Sequence, residues 1–180
     1  MCHQCEIKPV YEFTNQRKLC KTCFIRWFEK KVFYTIRKFK LIKREDIILV
    51  KNKTNFRDII LKKVLEMFCE KAGNKLIYSG KKYNKIAILN TLDIESNKII
   101  NEIIKGKMQL KEASPMQGKI IKPLYLFLDK EIILYAKIKK IKIKKPKTKI
   151  DKISKFIEEM EIKHPEVKRA IVNSYLELYN

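Results

Sequence analysis

DIILVKNKTNFRDIILKKVLEMFCEKAGNKLIYS, residues 46–79, is the stretch on which the fold turns. It opens on an apolar run of strand length, passes through the polar turn NKTN, and continues from Phe56 to Ala72 with an amphipathic pattern. A short continuous apolar run reads as a buried strand and a longer periodic one as a helix, so the order is strand, loop, helix. The quoted stretch closes on a second strand candidate, KLIYS at 75–79, which Gly80 ends, and KIAIL at 85–89 is a third. Asp93 is placed to cap a helix over Ile94 to Lys105, Gly106 stops it, and Asp129 begins another that runs to about Lys139. Between them Pro115 and Gly118 mark a loop, and IIKPLYLFL reads as extended or irregular. Strands alternating with helices predict an α/β chain on a parallel sheet.

Upstream of this domain stand two CxxC pairs, Cys2 with Cys5 and Cys20 with Cys23, separated by fourteen residues. That is the spacing of a tetrahedral metal site, with Zn²⁺ as the expected ion. Residues 1–23 are too few to bury a core of their own, so metal binding would have to supply folding free energy. The competing readings are an iron–sulfur cluster or redox thiols, and two disulfides. Disulfides call for an oxidising compartment, whereas the chain shows no apolar leader and no run of about 18 apolar residues. The expected location is therefore cytoplasmic. His3, inside the first knuckle, reads as a solvated or supporting residue, with replacement of a cysteine ligand as the alternative.

After the second pair, Phe24, Phe28, Val32, Ile36 and Phe39 recur at helical spacing within Phe24–Leu41. The other faces carry Arg26, Lys30, Lys31, Arg37, Lys38 and Lys40, with Trp27 and Tyr34 among them. Two readings compete, a solvated face around a packed stripe and a nucleic-acid surface where cations meet phosphates and rings stack on bases. The whole chain of 180 residues carries 42 Lys and Arg against 20 Asp and Glu, a formal charge of +22. Such a charge repels itself without a polyanion, and nucleic acid is the first candidate partner. An AT-rich genome could raise lysine alone; a membrane surface is the weaker rival, with no lipidation signal or anchor to support it. The run KKIKIKKPKTK at 139–149 reads as a basic hinge before a tail with helices over Ile150–Met160 and Glu166–Leu178. The expected division is 1–44, ribbon and basic helix; 45–145, α/β domain; and 146–180, helical tail.

Catalytic material is thin. The loop after the first strand, Lys51, Asn52, Lys53, Thr54 and Asn55, has no glycine to let backbone approach a phosphate. Lys51, Lys53 and Arg57 could meet one electrostatically, and a solvated turn is the other reading. The histidines are His3 and His164, and Cys69 falls mid-helix, where an inert buried thiol competes with a lone nucleophile. Asp93 and Glu95 sit at a helix start, which capping and the helix dipole already explain.

Several blocks, in order, resemble the archaeal and eukaryotic tRNA 2-thiolation proteins of the PP-loop ATP pyrophosphatase superfamily. MCHQCEIKP and KLCKTCFIRWFEKKVFYTIRKFKLI resemble that family's zinc ribbon and trailing helix. KIAILNTLDIESNKIINEIIKGK resembles its strand, Gly-His-Asn-x-Asp-Asp-Glu and helix; IIKPLYLFLDKEIILYAKIKKI is similar to its Arg-Pro-Leu run, and HPEVKRAIVNSYLEL to its C-terminal block. The resemblance implies a zinc ribbon joined to a small, trimmed, Rossmann-like PP-loop domain. Departures fall on the chemistry. Lys51–Phe56 stands where active members carry Ser-Gly-Gly-Lys-Asp-Ser, and Ile88 and Leu89 replace Gly-His, while Asn90, Asp93 and Glu95 remain. The paired sulfur-transfer cysteines have no counterpart beyond Cys69, the segment between Lys71 and Lys75 is shortened, and the C-terminal knuckle is absent.

What the resemblance then implies is a non-catalytic subunit, a pseudoenzyme, of a tRNA wobble-uridine 2-thiolation complex. It would pair with an active PP-loop thiolase as a hetero-oligomer and bind tRNA through Arg26, Lys30, Lys31, Arg37 and Lys38. Structural Zn²⁺ is expected, with no iron–sulfur cluster, no ATP and no membrane contact. The alternatives are a divergent adenylating thiolase and a stand-alone zinc-ribbon RNA-binding module.

Overall fold

The computed structural model describes residues 1–50, 56–106, 113–142 and 152–179. An antiparallel hairpin of β1 (Tyr11–Glu12) and β2 (Lys18–Leu19) leads into the helix α1 (Lys21–Lys38). There follow β3 (Ile47–Val50), α2 (Phe56–Ala72), β4 (Lys75–Ile77), β5 (Lys85–Ala87) and α3 (Leu92–Ile104). Then come β6 (Met116–Gln117), β7 (Ile120–Ile121), α4 (Asp129–Ile138), α5 (Lys152–Lys163) and α6 (Val167–Tyr179). The main sheet has the order β4-β3-β5-β7-β6; its pairings are parallel except for β6, which runs antiparallel at the edge. The α/β class with a parallel sheet is thus the one the chain adopts, preceded by a four-cysteine ribbon.

The strand β3, inside the sheet between β4 and β5, is apolar throughout and buries Ile48, Leu49 and Val50, the pattern of a strand covered on both faces. The helix α2 turns Ile60, Leu61, Val64, Leu65 and Phe68 inward, and α1 buries Phe24, Phe28, Val32 and Ile36, the periodic set of the sequence. Phe28 stacks on Tyr135 of α4 at 4.1 Å between ring centroids, so α1 shares the main core rather than standing off it. A second cluster, with Leu92, Ile99, Tyr125, Val172 and Tyr175, seats α6 on α3.

Three local features differ from the expectation. Residues Pro115–Ile121 form a hairpin of β6 and β7 whose two-residue turn places Gly118 at φ +55°, a conformation open to glycine. The helix α3 begins at Leu92 with Thr91 as its N-cap, and Asp93 caps a different helix: its Oδ2 accepts the Asp129 N–H of α4 at 2.7 Å. The last helix begins at Val167, not at Glu166, and the first tail helix is described from Lys152, its expected start at Ile150 lying outside the described residues. The loop Lys51–Asn55 and most of the basic hinge, residues 143–149, lie outside the described residues. Among the described residues no helix is long and apolar enough to cross a membrane.

Candidate metal centre and basic groove

The hairpin β1–β2 brings the two knuckles together. The backbone bonds Cys2 N–H to Ile7 O and His3 N–H to Lys18 O, both 2.9 Å, fold the first knuckle onto β2. Cys20 is the N-cap of α1, where the backbone N–H of Cys23 lowers its thiol, and Cys23 lies in the first turn of the helix. The four sulfurs all lie within 4.8 Å of one another, with Cys5 Sγ 3.4 Å from that of Cys20 and 3.6 Å from that of Cys23. Four thiolates about 2.3 Å from one tetrahedral ion stand about 3.8 Å apart, so the arrangement fits a metal. His3 is exposed and outside the group.

The donor chemistry agrees. Burial and then the neighbouring thiols of Cys5, Cys20 and Cys2 push the Cys23 thiol up to about 12. Burial also raises Cys2, but backbone N–H groups of Gln4 and Cys20 bring it down to about 6. Four sulfurs packed so closely cannot all ionise without a cation among them, and a metal supplies that charge.

Of the expected RNA-binding cations, the structure leaves Arg26, Lys30, Arg37 and Lys38 exposed on α1. Lys31 is drawn inward, its side chain 13% exposed, its ammonium 3.1 Å from Glu131 Oε2 and 4.7 and 4.6 Å from the ring centroids of Trp27 and Phe127. Trp27 packs with Tyr11, Phe13, Phe24 and Phe127, so it belongs chiefly to the core between ribbon and helix. Tyr34, by contrast, is 50% exposed. Two clefts adjoin along the helix. One, of about 400 Å³, is lined by Gln4, Arg26, Trp27, Lys30, Lys31 and Tyr34. The other, of about 260 Å³, lies between Tyr34, Lys38 and Asn173 of α6.

Beneath this groove sits Glu131, fully buried, a residue to which the sequence pattern alone assigns no role. Its Oε2 accepts the Leu128 N–H at 2.9 Å and faces Lys31, while its Oε1 accepts from Tyr11 OH at 3.2 Å and from Arg169 at 2.8 Å. One carboxylate thus ties ribbon, α1, α4 and α6. Its place three residues inside a helix start is the only signal of it in the sequence.

At the C-terminal ends of β5 and β7 lies a second polar cluster. Asn90 donates to Glu95 Oε1, which pairs with Lys122 at 2.9 Å, both side chains being buried. Asp93 pairs with Lys168 at 2.6 Å, and Lys168 also meets Glu161 at 2.6 Å. Burial, and then the Asp129 charge, raise the Asp93 carboxyl, with Lys168 opposing them. Of the positions retained in the sequence, Asn90 is thus bonded to Glu95, which holds Lys122, while Asp93 holds Lys168 and the start of α4. Cys69 is buried in α2, and burial pushes its thiol up to about 11, the condition of an inert cysteine.

No protein-family model matches this chain, and no curated protein matches it. Among solved structures it is similar to U34-tRNA thiolase NcsA from Methanococcus maripaludis with its [4Fe-4S] cluster, at a TM-score of 0.78 and 18% identity, over 98% of this chain and 86% of that one. Two expectations are corrected by this. The departures at residues 51–55 and 88–89 suggest a non-enzyme, but the structure that shares this fold is a thiolase, so they do not justify that inference. The exclusion of an iron–sulfur cluster falls as well: the similar structure carries one, and four cysteines are a donor set for iron–sulfur clusters as for zinc. Along nearly its whole length, this chain has the fold of that thiolase.

Proposed function

We propose that this chain acts in the 2-thiolation of tRNA at the wobble uridine, holding tRNA against the exposed face of α1 beside the four-cysteine ribbon. The observation that carries the reading is the row of exposed cations Arg26, Lys30 and Lys38 along a groove that starts at the metal knuckle, with Arg37 exposed on the same helix, in a chain with the fold of a tRNA thiolase. Lys31, occupied by Glu131, sets the floor of the groove and leaves phosphates to its neighbours. Cys2, Cys5, Cys20 and Cys23 would hold the metal group, which when bound supplies the charge that the thiolates share. Pairing with an active PP-loop thiolase as a hetero-oligomer belongs to the same proposal.

Reversing the four exposed cations to Glu is expected to weaken tRNA binding and flatten its dependence on salt, by a slope of about one for each phosphate left unbound. Unchanged affinity and slope in a fluorescence-anisotropy titration over several salt concentrations would sink the reading. Deletion of the gene should lower the 2-thiouridine content of bulk tRNA, measured by mass spectrometry of nucleosides; an unchanged content counts against a role in thiolation.

A second reading, in which the chain itself catalyses the transfer, draws support from the thiolase of the same fold. Its measurement is tRNA-dependent exchange of pyrophosphate into ATP by the purified chain.

A further inference from the structure

We infer that Tyr34 is a stacking platform for one unpaired base of the bound RNA, an assignment that rests on the RNA-binding reading above. Arg26, Lys30, Tyr34 and Lys38 recur every four residues of α1, so they form one stripe with about 6 Å of axial rise between neighbours. All four are exposed. A single aromatic ring therefore stands in a row of cations, with Lys30 one turn before it and Lys38 one turn after. The ring also divides the groove, because Tyr34 lines both the cleft that begins at Gln4 and the cleft that ends at Asn173. It is spared by the aromatic cluster that claims Trp27, and Lys38 Nζ stands 5.8 Å from its centroid, at the outer edge of cation–π range.

A duplex would meet such a stripe with phosphates alone and would have no use for the ring. A single strand uses both, since its backbone tracks the cations and an unstacked base can lie on a π face. The groove volumes of about 400 and 260 Å³ leave room beside the ring for a base and its sugar. The occupant is accordingly an unpaired nucleotide with a phosphate on each side, Arg26 and Lys30 serving one flank and Lys38 the other.

Two labelled probes test this, a stem–loop RNA with an unpaired loop and a blunt duplex of the stem sequence. Tyr34→Ala is expected to weaken stem–loop binding by about fivefold or more, leaving duplex affinity and the salt slope of both probes unchanged, because no charge is removed. Tyr34→Phe should bind the stem–loop like the wild type. Equal losses on the two probes, no loss on the stem–loop, or a Phe variant as weak as the Ala variant would each overturn the platform. Wild-type protein that binds neither RNA would overturn the RNA-binding reading itself, whereas tight binding indifferent to Tyr34→Ala overturns only the platform. Trp27 emission, matched between variants, verifies that the ribbon and α1 remain packed.

Discussion

Cys23→Ser, or exhaustive chelation of the wild type, will release the metal and detach the ribbon from α1. Residues 1–20 contribute the short pairing of β1 with β2, Leu19 and the rings of Tyr11 and Phe13 to the packed interior, too little to hold two knuckles closed. For structural zinc in small modules the binding free energy is about 10–16 kcal/mol, comparable to the whole net stability of a typical domain, about 5–15 kcal/mol. The hairpin cannot make good that deficit. The chain carries its own reporter, since its one tryptophan, Trp27, packs on Phe13 at 4.8 Å and Tyr11 at 6.1 Å, both from the ribbon. Trp27 emission should shift to the red as metal leaves and return on reconstitution, while the far-ultraviolet signal of the remaining helices persists. Elemental analysis together with acid-labile sulfide identifies the group that was released. A metal-free chain with unshifted emission would show that the ribbon stands on packing alone.

The second large effect belongs to Glu131. Removing one partner of a buried ion pair costs about 3–5 kcal/mol, because the other charge is stranded. Glu131→Ala strands Lys31 beneath α1 and releases Tyr11 and Arg169 as well. For a chain of this size the corresponding fall in Tm is roughly 6–20 °C. Glu131→Met combined with Lys31→Met should lose less than Glu131→Met alone, since the double variant leaves no unpaired ammonium inside. Urea unfolding of the set decides it; a loss under about 1 kcal/mol for Glu131→Ala would mean that water already reaches the pair. The pH profile has a definite sign. Burial lowers the Lys31 ammonium from 10.5 to about 8, opposed by Glu131, so the unfolded chain binds the extra proton between those values. Relative to Lys31→Met, wild-type stability should therefore climb as pH rises from about 8 to 10.5 and stay level below that window.

Much of the architecture was legible because it depends on local pattern. Spacings of four placed Phe24, Phe28, Val32 and Ile36 on one buried face, and the unbroken apolar run Ile47–Val50 could belong only to a covered strand. The four cysteines were legible for the same reason, as spacing and ligand chemistry travel together. What escaped was set by distant partners. Nothing near Asp93 indicates that its carboxylate will serve a helix 36 residues later, and nothing near Lys31 announces Glu131, 100 residues away. Trp27 and Tyr34 look equivalent in sequence, two rings among cations, yet one is taken by Tyr11, Phe13 and Phe127 and the other is left outside. The hairpin Pro115–Ile121 was hidden because two-residue strands carry almost no periodicity.

The bonds that close Tyr11 through Glu131 to Arg169, together with the bond from Thr14 to Glu166, also set an order of events during synthesis. Residues 11–14 emerge well before their partners at 166–169, with Thr14 and Glu166 separated by 152 positions. A nascent chain can close its knuckles early, but the surface on which the ribbon finally rests is incomplete until α6 has left the ribosome. That long-range closure thus waits for α6, and until then the young ribbon is tethered to a partly built body.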